Sequence, residues 1–136
     1  MSDLVPDTEW SLREWLRAEL PTVKTWFDVP NGTPTFPLIT IGGRIGGAPD
    51  TDGTLDHPRI SFSVWGGPGG NGRKSARETM SALVDLIATA ENVPLDAETY
   101  AYGGVVDSVL WLPDESDPDN RLARYIVDAS FTVRSV

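Results

Sequence analysis

The stretch Gly66-Gly67-Pro68-Gly69-Gly70-Asn71-Gly72-Arg73-Lys74-Ser75 lies between an apolar alternating segment and a helical one. Glycines between a strand and a helix, closed by a lysine and a serine, are the parts of a phosphate-cradling P-loop. Backbone N–H groups would hold the phosphates, the lysine would neutralise them, and the hydroxyl would meet a magnesium ion. The spacing fails that chemistry. The motif needs lysine directly after its second glycine, and here Arg73 follows Gly72, so that Lys74 and Ser75 come one place late. One extra residue turns a side chain by about 100° around a helix start. P-loop folds also place a helix after each of several parallel strands, which this chain does not. The simpler reading is that the glycines let the chain turn sharply from strand to helix at low steric cost. Arg73 and Lys74 are then a solvated basic edge.

Other reactive residue types are sparse. The chain has no cysteine, so disulfides, thiolate zinc sites and cysteine nucleophiles are excluded. His57 is the one histidine, and no Gly-x-Ser-x-Gly elbow accompanies it; its position at a strand entrance suits an ordinary surface residue better than a catalytic base. The loops Asp50-Thr51-Asp52-Gly53 and Asp114-Glu115-Ser116-Asp117-Pro118-Asp119-Asn120 offer the oxygens that calcium prefers. Neither has EF-hand spacing, and Asp, Asn, Ser, Gly and Pro are also the standard turn residues. No catalytic residue, metal site or cofactor is expected. An acidic tip remains suited to docking on a partner's basic patch, because charge steers association.

The chain's 136 residues make one domain, 1–136, large enough to bury about two-thirds of its unfolded surface. Net charge is −9, from 20 acids against 11 bases. Gripping a duplex requires a basic face, so tight DNA binding is not expected, although an acidic surface can pass near DNA without holding it. There is no 18-residue apolar run, and the N-terminal segment is acidic rather than basic. The expectation is a soluble protein made in the cytoplasm, with no membrane partner.

The elements follow from periodicity. Ser11 with Glu14 fits a capping box, flanked by Trp10 and Trp15 as a staple, and Leu12, Trp15, Leu16 and Leu20 share one helical face until Pro21. Strands are expected over 23–29, from 38 towards 45 with a bulge at Gly42-Gly43, and over 59–65, with a turn at 30–34. A second helix carries Ala76, Met80, Leu83, Val84 and Ile87 on one face and ends near Asn92-Val93-Pro94. Strands over 102–112 and 122–133 follow, the last with Tyr125, Val127, Ala129, Phe131 and Val133 on its apolar face. The order is α-β-β-β-α-β-β. It predicts an α+β fold: a mostly antiparallel or mixed sheet of about five strands, with two helices on one face. Trp26 and Trp65 fall at the polar parity of their strands, where aromatics suit an interface. Trp10, Trp15 and Trp111 are expected to pack within the domain.

Taken in order, LREWLRAELP, PLITIGGRIGG, HPRISFSVWG, ARETMSALVDLIATA and GGVVDSVLWLPDESDPDNRLARYIVDASFTV span nearly the whole chain. This pattern resembles the tail terminator, or tail completion, proteins of long-tailed (siphovirus-type) phages. The resemblance rests on element order and short phrases rather than on a catalytic signature. It implies a non-enzymatic virion protein forming a homo-oligomeric ring, commonly a hexamer, at the head-proximal end of the tail. Such a ring caps the tube of major tail protein, ends its polymerisation and offers a surface to the head-completion or connector protein. DNA passes through its lumen without specific binding, and assembly takes place in the host cytoplasm. A ring of this kind is expected to use Trp26 and Trp65, with Arg44, Arg59 and Arg124 pairing with Asp114, Glu115, Asp117 and Asp119 of a neighbour. The competing readings are a head-completion or connector ring protein and, in another class, a small phosphate- or nucleotide-binding enzyme using residues 66–75.

Overall fold

The computed structural model describes residues 6–30, 34–116 and 121–136. Helix α1 spans Thr8–Glu19. It opens a turn earlier than the Ser11 capping box implies. The Asp7 carboxylate caps it by accepting a hydrogen bond from the Trp10 N–H at 3.1 Å. Ser11 is buried inside the helix, and its hydroxyl shares a 2.7 Å hydrogen bond with Thr99 Oγ1. Both residues can cap a helix, and the tertiary partner on Thr99 decides between them. Leu12, Trp15 and Leu16 form the buried face.

Strands β1 (Lys24–Trp26), β2 (Leu38–Gly46) and β3 (Arg59–Pro68) precede helix α2 (Gly70–Ala88); β4 (Val93–Pro94), β5 (Thr99–Trp111) and β6 (Leu122–Ser135) follow it. The sheet order is β1-β2-β3-β6-β5-β4. β1 is parallel to β2 and every other pair is antiparallel. The fold is α+β as the periodicity predicts, with two departures in the strands. β4 is an additional two-residue strand in what sequence pattern gives as a helix end, and β1 is shorter than 23–29. The expected bulge is present, since the β2–β3 register slips between Ile41 and Gly43. The expected turn at 30–34 lies partly outside the described residues.

Both helices pack on one face of the sheet and share one core. Leu12, Trp15 and Leu16 of α1 and Leu83 and Ile87 of α2 join Ile60, Phe62 and Val64 of β3 with Val127, Ala129, Phe131 and Val133 of β6. Strict alternation on β3 and β6 puts every second side chain inward, so two neighbouring strands supply most of the floor. Phe62 and Phe131 meet edge to face, with centroids 6.4 Å apart.

The glycine run makes this packing possible. Gly69 has φ of +84° and caps α2, which begins at Gly70, so the helix takes in Arg73, Lys74 and Ser75. A Cβ on Gly66 would lie 1.8 Å from the Gly72 carbonyl oxygen, and one on Gly72 would lie 1.6 Å from the Gly67 carbonyl oxygen. The backbones of β3 and α2 therefore touch where the chain reverses. Gly72→Ala should lower stability by about 3 kcal/mol in urea denaturation, since backbone has to move to admit the methyl group. Gly70→Ala, where nothing lies within 4 Å of the new Cβ, should be neutral or stabilising by up to about 1 kcal/mol. Equal effects at the two sites would contradict the contact.

Candidate functional site

The glycine loop closes on itself rather than forming an open cradle. Lys74 Nζ lies 3.9 Å from Glu78 Oε1, one turn along α2, and the Arg73 guanidinium sits 5.1 Å over the Trp111 ring. Both cations face their own element or β5. Among the described residues no group of three or more His, Asp or Glu could hold a metal ion. The acidic loops use their carboxylates locally. Asp52 Oδ1 accepts from the Thr54 N–H at 3.0 Å and Asp114 Oδ1 from the Ser116 N–H at 2.9 Å. Those backbone hydrogen bonds hold both carboxyls below the usual aspartate range. His57 Nε2 meets Asp50 Oδ1 at 2.7 Å, which closes the 50–57 loop.

The arginines expected to reach a neighbour are engaged within the chain. Arg44 makes two hydrogen bonds to Asp56, at 2.6 and 2.8 Å, and its Nε–H donates to the Gly46 carbonyl. Asp56 is fully buried, and its own backbone exchanges two hydrogen bonds with Val133. Hydrogen bonding to Asp56 raises the Arg44 guanidinium above its already high range. Arg59 Nε lies 3.4 Å from Asp107 Oδ2. Arg124 donates to the Leu112 carbonyl at 2.9 Å and covers the Trp65 ring at 4.9 Å. Glu115 lies 3.7 Å from Arg121. Asp117 and Asp119 lie outside the described residues.

The two outward tryptophans part company. Trp65 keeps the parity read from the sequence, yet only 7% of it is exposed. Its indole N–H donates to Thr40 Oγ1 at 3.0 Å under the Arg124 guanidinium, so the sheet's outer face carries a small packed cluster of its own there. Trp26 is 41% exposed, as its parity implies. It belongs to a group not foreseen from sequence: Arg13 stands 5.2 Å from the Trp10 ring and 5.5 Å from the Trp26 ring, while Trp10 stacks on Phe27. Trp10 and Trp111, expected inside, are both exposed, and Trp15 is buried.

The largest apolar exposure is on the β5–β6 hairpin. Val105, Val109, Leu110, Trp111 and Leu112 are all exposed, Val105 by 63% and Leu110 by 54%. By register, Trp111 opposite Tyr125 and Val109 opposite Val127 lie on the helix side, whereas Leu110 opposite Ile126 lies on the other. The end of β5 therefore carries apolar side chains on both faces, with α2 running beside it from Arg73 over Trp111 to Ile87 at Gly104. The sequence held a signal for it. Val109-Leu110-Trp111-Leu112 abandons alternation, and an unbroken apolar run in a strand calls for cover on both sides. No protein-family model matches the chain, and no curated protein matches it.

Arg44→Ala should cost about 3–5 kcal/mol in thermal or urea unfolding, because it strands a buried carboxylate. Adding Asp56→Asn should restore part of that loss. Arg59→Ala, at a half-exposed pair, should cost under about 1 kcal/mol.

Proposed function

We propose that this protein is a tail terminator subunit of a long-tailed phage. It forms a homo-oligomeric ring on the open end of the tail tube, blocks further addition of tube subunits and offers a docking face to the head-completion protein. The carrying observation is the edge strand β5, which exposes apolar side chains on both faces and carries one charged residue, Asp107. A patch of that kind marks contact between macromolecules rather than chemistry in a cleft. The second patch, around Trp10, Trp26 and Arg13, differs from it in composition and lies on α1 and β1. Two unlike patches on one subunit are what a head-to-tail ring uses. The net charge of −9 suits a conduit that DNA traverses without being gripped. The resemblance in element order and in phrases such as HPRISFSVWG supplies the particular ring.

Light scattering on purified protein should give a mass several times 14.8 kDa. Leu110→Asp should shift that mass downward without altering the circular dichroism, since Leu110 is exposed on the outer face of an edge strand. In the parent phage, loss of the gene should leave tails of irregular excess length and unjoined heads. Normal tails beside unjoined heads would point instead to a connector role. A thermal shift with nucleotide that Lys74→Ala removes would favour the enzyme reading.

A further inference from the structure

On the reading that the chain forms a ring, we infer that neighbouring subunits join by strand addition: the free edge of β5 in one copy pairs antiparallel with the free edge of β1 in the next. The two sheets then become one continuous belt.

Both edges are open. β4 pairs only with Tyr100 and Ala101, and among the described residues no strand lies outside the rest of β5. Gly103–Trp111 therefore presents a row of unpaired N–H and C=O groups. Exposed edges are normally blunted with lysine, proline or several charges. This one has register shifts at Ala101/Gly103 and Val106/Ser108 but carries a single charged residue, Asp107, and that is held by Arg59 and by the Ser130 hydroxyl. At the opposite end of the sheet, β1 pairs only with β2. Beside it runs a groove lined by Arg17, Pro21, Val23, Lys24, Thr25 and Trp26. The Thr25 hydroxyl is buried and has no hydrogen-bond partner among the described residues.

Chain direction fits this junction. β1 runs with β2, β3 runs against β2, β6 against β3 and β5 against β6. β5 therefore runs opposite to β1. A neighbour placed by continuing the sheet brings its β1 alongside β5 in the antiparallel sense, the better-bonded of the two geometries. Charge fits as well. The groove beside β1 has Lys24 and Arg17, the latter 4.0 Å from Glu14 on its own helix, and no acidic lining residue. The β5–β6 hairpin ends in Asp114 and Glu115, with Asp117 and Asp119 following in sequence. Pairing two β5 edges about a two-fold axis centred on the free stretch would instead set Asp107 opposite Asp107, and like charges directly opposite destabilise a sheet.

The cysteine-free chain allows a clean test. Ser108→Cys, Leu112→Cys and Lys24→Cys all alter exposed positions, so folding should survive. Lys24 lies level with Leu112 across the sheet, so the Leu112→Cys/Lys24→Cys double variant, treated with a short bis-maleimide, should give a covalent ladder of multimers that ends at the ring mass found by light scattering. Each single variant should stay monomeric on a denaturing gel. Dimers from Ser108→Cys alone would overturn the junction in favour of a two-fold β5 contact. A ring in solution with no cross-link in the double variant would overturn the junction and leave the ring standing. A strict monomer at every concentration, with no ladder, would overturn both.

Discussion

The contact between the backbones of Gly66–Gly67 and Gly72 governs how everything else in the molecule is placed. A strand that reverses directly into a helix must set the helix axis close above its own sheet, and side chains at the crossing would hold the two apart. With a carbonyl oxygen less than 2 Å from where a Cβ on Gly66 or on Gly72 would stand, α2 lies down at once and its apolar stripe reaches β3, β6 and β5. A second close approach fixes the far end of the helix: a Cβ on Gly104 would lie 2.8 Å from the Ile87 carbonyl oxygen. Pinned at both ends, α2 has one resting position. Its first turn passes over Trp111 through Arg73, so α2 runs beside β5 rather than over its outer edge. The exposure of Val105, Val109 and Leu110 follows from β5 standing at the sheet edge, where β4 pairs only with Tyr100 and Ala101.

Charge in this protein is largely committed to holding the chain to itself. Arg44 and Asp56 tie the 47–57 loop to the sheet, with Asp56 gripping β6 by backbone and Arg44 by side chain. Burial of that carboxylate is tolerable because the guanidinium meets it in a two-pronged geometry that matches its two oxygens. Arg124 and Arg13 act differently. Their planar cations lie on tryptophan rings and keep large aromatics from standing bare in water. The excess acid is well represented in sequence at 114–119, although Asp114 accepts from the Ser116 N–H and Glu115 lies 3.7 Å from Arg121. The β5–β6 hairpin therefore combines an apolar edge with a negative end. Such a combination discourages random sticking between hairpins and favours a site with cations beside an open strand.

Much of this was legible in the sequence, and the failures share a cause. β3 and β6 read clearly because each has one face in the core and one outside it, so their side chains alternate. Gly42-Gly43 announced the bulge, since glycine inside a strand rarely has another use. What could not be read was anything settled by a distant partner. Ser11 had every local qualification as a cap, and Thr99, 88 positions away, took its hydroxyl. Trp65 had the parity of an exposed residue, and Thr40 and Arg124 covered it from the adjacent strands. Arg44, Arg59 and Arg124 looked available because their partners are far off in sequence or are backbone carbonyls. β4, at two residues, is too short to carry a period. The 109–112 run is a different case. It was visible as four consecutive apolar residues, and the assumption of a one-sided sheet hid what it meant.

A sheet with two open and dissimilar edges has few ways to remain soluble. Pairing like with like closes one edge and leaves the other. Pairing unlike edges leaves the chain of subunits open unless it curves back on itself, and a strand's right-handed twist together with helices on one face supplies curvature. Once such a belt closes, every subunit has both edges satisfied and none remains to template further addition. That property is what an assembly terminator needs. On the proposed reading, a ring that consumed its own edges would present only its flat ends to a tail tube. The features that make the isolated chain unusual, an apolar edge on β5 and an uncovered three-residue edge strand, then become the two halves of one joint.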